Sequence, residues 1–223
     1  MSIDRRHFLS RAASASLFAA LPLDSSLSRH TDERPPTSGL PLDDTDLSWV
    51  NRLRGKSRAV FDSPDVSEGL ALTRAAIWRN QINKVFGTPH DEVTPVVVFR
   101  HSAIPLVMDN AFWDHLGIGK DLKWKDEKTG KWTKVNPLVG GDEEAQAKEF
   151  TIPSFIKSGG IVLACGLAFA LIVDQYKDKD KLPKADAEQR AREHVIPGVI
   201  IQPSGFFAVL KAQEEGCNYM MGS

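Results

Sequence analysis

Three apolar runs constrain the fold of this chain more than any other feature. Val96-Val97-Val98-Phe99, Ile161-Val162-Leu163-Ala164 and Val199-Ile200-Ile201 are apolar without alternation. A strand with no polar face has to be covered on both sides, the condition of a strand inside a parallel sheet. Between the runs lie segments with helical spacing. Ala71, Ala75, Trp78, Ile82 and Val85 recur at intervals of four and three and end at Gly87. Helices are also read over 104–116, 152–157, 166–177, 185–194 and 206–215. Two further strands are read at Arg58–Asp62 and at 216–221, and Ser63-Pro64 reads as the cap and first turn of the helix after the first. The expectation is an α/β chain, a three-layer α/β/α arrangement with a mostly parallel sheet of about five strands.

Two stretches stand outside this alternation. Residues 117–149 contain Trp124 and Trp132 on either side of Asp126-Glu127-Lys128-Thr129-Gly130, a hairpin-like insertion with a glycine turn, followed by a polar stretch over 140–149. We read it as an excursion from the core and a lid over a site. At the amino end, Arg5-Arg6 precede Phe8-Leu9 and an Ala/Ser/Leu run to Leu23. The order matches a twin-arginine signal over 1–23, and the run is too short to span a bilayer, so no stable transmembrane span is expected after processing. Residues 24–57, rich in Ser, Asp, Thr and Pro at their start, read as a flexible linker, which leaves 58–223 for the folded domain. The signal implies an exported, periplasmic location.

The 223 residues suffice for one self-supporting core. A formal net charge of −1 offers no electrostatic case for nucleic acid. No G-x-G-x-x-G, P-loop or H-E-x-x-H occurs, which speaks against nucleotide chemistry and zinc hydrolysis. No cofactor and no metal site is expected, since Cys165 and His101 are too few ligands for a soft metal.

Parallel sheets place sites at the carboxyl ends of their strands. Here those ends carry Arg100-His101-Ser102, Cys165-Gly166 and Gln202-Pro203-Ser204-Gly205. Cys165 ends a strand and begins a helix, where free amides and the helix dipole favour a nucleophilic thiolate; its alternative is a buried, inert packing thiol. His101 is its candidate partner, tuning the thiolate or taking its proton, or else it fills a turn. Arg100, Ser102, Asn110, Trp113 and Ser204 are candidate ligand-binding residues. Ser102 and Ser204 also suit helix caps, and Trp113 also suits the core. A disulfide between Cys165 and Cys217 is not expected.

The strand Val96–His101 with its helix, Gly160–Cys165, Ile196-Pro197-Gly198-Val199-Ile200-Ile201, and Gly205 leading into Ala212–Tyr219 together resemble the DsrE/DsrF-like superfamily over 58–221. The chain resembles more closely its twin-arginine-signal-bearing bacterial members, which share Arg100-His101, Thr129-Gly130-Lys131 and Asn136-Pro137. The resemblance implies a persulfide-carrying role for Cys165, a small sulfur-containing ligand or thiol protein as partner, and a homo-oligomer. Sulfur-relay members are cytoplasmic and lack the 117–149 excursion. The alternative reading is a non-catalytic small-ligand-binding or self-assembling module.

Overall fold

The computed structural model describes residues 45–139 and 150–223. The expected signal, the linker up to residue 44 and the polar stretch 140–149 lie outside the described residues. Five strands form one sheet: β1 (Ser57–Ser63), β2 (Val93–Phe99), β3 (Ile161–Cys165), β4 (Ile200–Gln202) and β5 (Asn218–Met221). Their order is β4-β3-β2-β1-β5 and every pairing is parallel. The chain is thus a three-layer α/β/α fold. All residues of β2 and β3 are buried, as their unbroken apolar runs require. Pro95 has no N–H to give, and it lies one residue before β3 joins β2 at Val96 and Ile161.

The two faces of the sheet are covered unequally. Phe61, Val97, Phe99, Val162 and Ala164 face the larger core. That side carries α1 (Leu70–Phe86), α2 (Asn110–Leu116), α3 (Ile118–Asp121), α4 (Ile152–Lys157), α5 (Gly166–Asp180) and α6 (Lys184–Glu193). Val60, Val96, Val98, Ile161 and Leu163 face a smaller core, closed by α7 (Gly205–Glu214) and by Trp49 from a 3-10 turn over Ser48–Arg52. Trp49 is wholly buried, and its Nε1 donates to Gln202 Oε1 at 3.1 Å. Gln202 Nε2 donates in turn to the Asp46 carbonyl at 2.9 Å. The fold therefore begins before the expected residue 58; the end of the supposed linker is a structural plug.

Several local expectations change. Ser63 does not cap α1, because its hydroxyl donates to the Asp65 carbonyl and the helix starts later, after Gly69. The single helix expected over 104–116 is two elements: a 3-10 helix over His101–Val107 with Pro105 inside it, and α2. Between them Met108 is extended, and Asp109 caps α2 by accepting from Phe112 N at 2.8 Å. The charge run at 177–181 continues α5 as far as Asp180. The insertion is hairpin-like, with a Lys125–Trp132 bridge. Asn136, fully buried, fastens it down: its Nδ2 donates to the Leu106 and Met108 carbonyls and its backbone N–H to Asn110 Oδ1. Among the described residues no helix is long and apolar enough to cross a membrane.

Candidate functional site

The parallel order brings the carboxyl ends of all five strands to one edge. Asp62 is the penultimate residue of β1, and Arg100 follows β2, its N–H donating to the Ser63 carbonyl. Arg100 grips Asp62 with two parallel bonds, Nε to Oδ1 at 2.7 Å and Nη2 to Oδ2 at 2.8 Å. Tyr219 on β5 adds its hydroxyl to Asp62 Oδ2 at 3.3 Å. The Arg100 guanidinium also lies 5.4 Å over the Phe206 ring of α7. This close approach depends on Gly205, where a Cβ would meet Arg100 Cβ and Cδ at 2.7 Å. Among the described residues Nη1 takes no hydrogen bond.

Cys165 ends β3 and forms the N-cap position of α5. Its side chain does not cap the helix, so the first amides of α5 get no partner from it. Both Cys165 and Cys217 are free thiols, buried in different cores. Arg100 is held above the usual arginine range, first by its bonds to Asp62; burial opposes this, and negative charge at Asp62, Tyr219 and Cys165 adds to it. Arg100 is therefore a cation in electrostatic reach of the Cys165 sulfur.

The other candidates fall into two groups. His101 and Ser102 share the Arg100 edge. His101 is exposed and holds a left-handed backbone, φ 51°, a conformation that costs a non-glycine residue about 1–3 kcal/mol. Ser102 does not cap a helix; its hydroxyl contacts the Pro64 carbonyl and Asp65 Oδ1, both at 3.1 Å. Ser204 caps α7 by accepting from Phe207 N. Asn110 and Trp113 serve the scaffold: Asn110 Oδ1 accepts from Asn136, and Trp113 is fully buried with Nε1 donating to the Pro105 carbonyl at 2.8 Å. Asp62 and Tyr219 were missed from sequence. A carboxylate closing the apolar run Ala59-Val60-Phe61 was the available signal for Asp62; Tyr219 lies on an exposed edge strand that gives none. Among the described residues no group of acidic, His or Cys side chains could hold a metal ion.

No family model, no curated protein and no solved structure matches this chain.

Proposed function

We propose that the chain is an exported DsrE-like protein that handles sulfur at Cys165. The observation that carries this reading is the placement of a strand-end thiol, the amino end of α5 and the Asp62-anchored Arg100 guanidinium at one edge. Positive charge and unpaired amides are what an anionic sulfur needs around it. In the transfer step, the Cys165 thiolate attacks the outer sulfur of a donor persulfide, R–S–SH. A new S–S bond forms on Cys165, the donor S–S bond breaks, and the donor leaves as R–S⁻. The product is Cys165–S–SH, with no external oxidant consumed. Arg100 Nη1 faces the anionic partner, and His101, at the same edge, exchanges the proton. The low exposure of Cys165 restricts the donor to a small sulfur species or a thiol on a narrow chain. The test is sulfane-sulfur labelling of wild type against Cys165→Ser; equal labelling of the two rules the reading out.

A self-assembling, non-catalytic module is the second reading. It is favoured by the outer face of α7, where Phe206 and Leu210 are each 60% exposed, and by β5, an edge strand exposed throughout. The occupant is a second copy of the chain. Sedimentation of wild type against Leu210→Asp decides it: a monomer in both removes the reading.

A further inference from the structure

At the amino edge of the sheet, opposite the thiol, α1 buries an arginine that has no acidic partner among the described residues. Arg79 is only 5% exposed. Its Nη1 and Nη2 donate to the carbonyl and hydroxyl of Ser158, at 2.9 and 2.6 Å, and its guanidinium lies 5.4 Å over the Phe155 ring. Among the described residues Nε has no hydrogen-bond partner. Among the described residues no carboxylate pairs with it, and burial alone pulls it below the ordinary arginine range. A buried charge is normally paired, because its desolvation is otherwise uncompensated.

Arg79 lines a recess of about 350 Å3 together with Asn80, His90, Ser154 and Ser158. That volume is at the small end of ligand sites, about 300–1,000 Å3. A neighbouring recess shares His90 and Ser158 and brings in Arg52, Arg54 and Asp91. His90 is held below its usual range, first by burial and then by the charge of Arg79, with Asp91 opposing both. Arginine presents a planar fork matched to phosphate and carboxylate oxygens.

We propose that this recess binds a small oxyanion, the phosphate or carboxylate group of a small molecule, with Arg79 as its anchor and Ser154, Asn80 and His90 as polar partners. The site is independent of Cys165. Its anion supplies the counter-charge that no described residue gives Arg79, and the hydroxyl of Ser154 and amide of Asn80 orient it.

The experiment titrates the full chain calorimetrically with inorganic phosphate and, separately, with acetate, at constant ionic strength in chloride. Saturable binding of either supports the site; phosphate alone assigns it to phosphoryl groups, and acetate alone or both extends it to carboxylates. Arg79→Met keeps the stem over Phe155 and removes the charge, and affinity falls at least tenfold. Asn80 is exposed, so Asn80→Asp leaves folding intact while placing a carboxylate beside Arg79, and it lowers affinity by a similar factor. Binding of neither anion by wild type overturns the proposal. So does undiminished affinity in Asn80→Asp, which serves even if Arg79→Met does not fold.

Discussion

Arg100 and Asp62 form a two-pronged ion pair at the carboxyl edge of the sheet, with both contacts under 3 Å and the carboxylate almost wholly buried. Tyr219 shares the same carboxylate. The pair fixes the guanidinium between the ends of β1 and β2, and Gly205 leaves room for its stem. Breaking a fully buried pair costs about 3–5 kcal/mol. Arg100 is partly exposed and Tyr219 still serves Asp62, so Arg100→Met is expected to cost about 2 kcal/mol, read from urea unfolding. Arg100→Lys recovers little of it, because an ammonium cannot reproduce the fork.

Gly205→Ala tests the same geometry without removing a charge. The added carbon overlaps the Arg100 stem, and overpacking of this kind costs about 1–3 kcal/mol. An unchanged unfolding midpoint would show that Arg100 moves aside freely.

Trp49 belongs to the fold although it precedes β1. Trp49→Ala removes a fully buried side chain and strands Gln202 Oε1; a loss of about 3–5 kcal/mol is expected in denaturant unfolding. Trp49→Phe keeps most of the volume and isolates the hydrogen bond, with a loss of about 1–3 kcal/mol.

Tyr176 is stacked between His115 and His194, and burial pushes its phenol up to about 12. Tyr219 is also raised, by burial first and then by Asp62. An unfolded phenol titrates near 10. The folded state binds these protons more tightly, so their contribution to stability is complete below pH 10 and is lost as pH climbs toward about 12. The chain has two tyrosines. Phenolate absorbance of the native protein should therefore lag that of the protein in denaturant across this window; coincident titrations would contradict the packing. Among the described residues the Tyr176 hydroxyl has no hydrogen-bond partner, and Tyr176→Phe is expected to raise stability by about 1 kcal/mol.

Cys217 packs in the smaller core, and burial pushes its thiol up to about 11. Near neutral pH, iodoacetamide should modify it far more slowly in the native state than in denaturant, where a thiol titrates near 8.5. Peptide mass spectrometry reads this directly; fast native modification would contradict the packing of Cys217.

Much of the scaffold was legible because it follows from periodicity. Val96–Phe99 and Ile161–Ala164 cannot be solvated on either face, and the helical spacing from Ala71 ends at Gly87, which takes the left-handed φ of 63° expected of a helix stop. Legibility ended where tertiary contacts decide. Trp49 follows a Pro- and Ser-rich stretch, and nothing local reveals that Gln202 awaits it. Pro105 divided the 104–116 segment because it cannot continue a regular ladder, and Asp109 then restarted it as a cap. At the site, sequence placed Arg100 and Cys165 at strand ends. It did not show Asp62 as the anchor of Arg100, since that contact spans 38 residues.

The most direct measurement of the central claim is persulfide labelling after incubation with a small sulfane-sulfur donor, in the Cys217→Ser background with Arg100 intact or changed to Met. One labelled site is expected, Cys165, abolished in Cys165→Ser and slowed at least tenfold in Arg100→Met while the fold is retained. Labelling that is absent, or equal in Cys165→Ser, would contradict it and leave Cys165 as a packing residue.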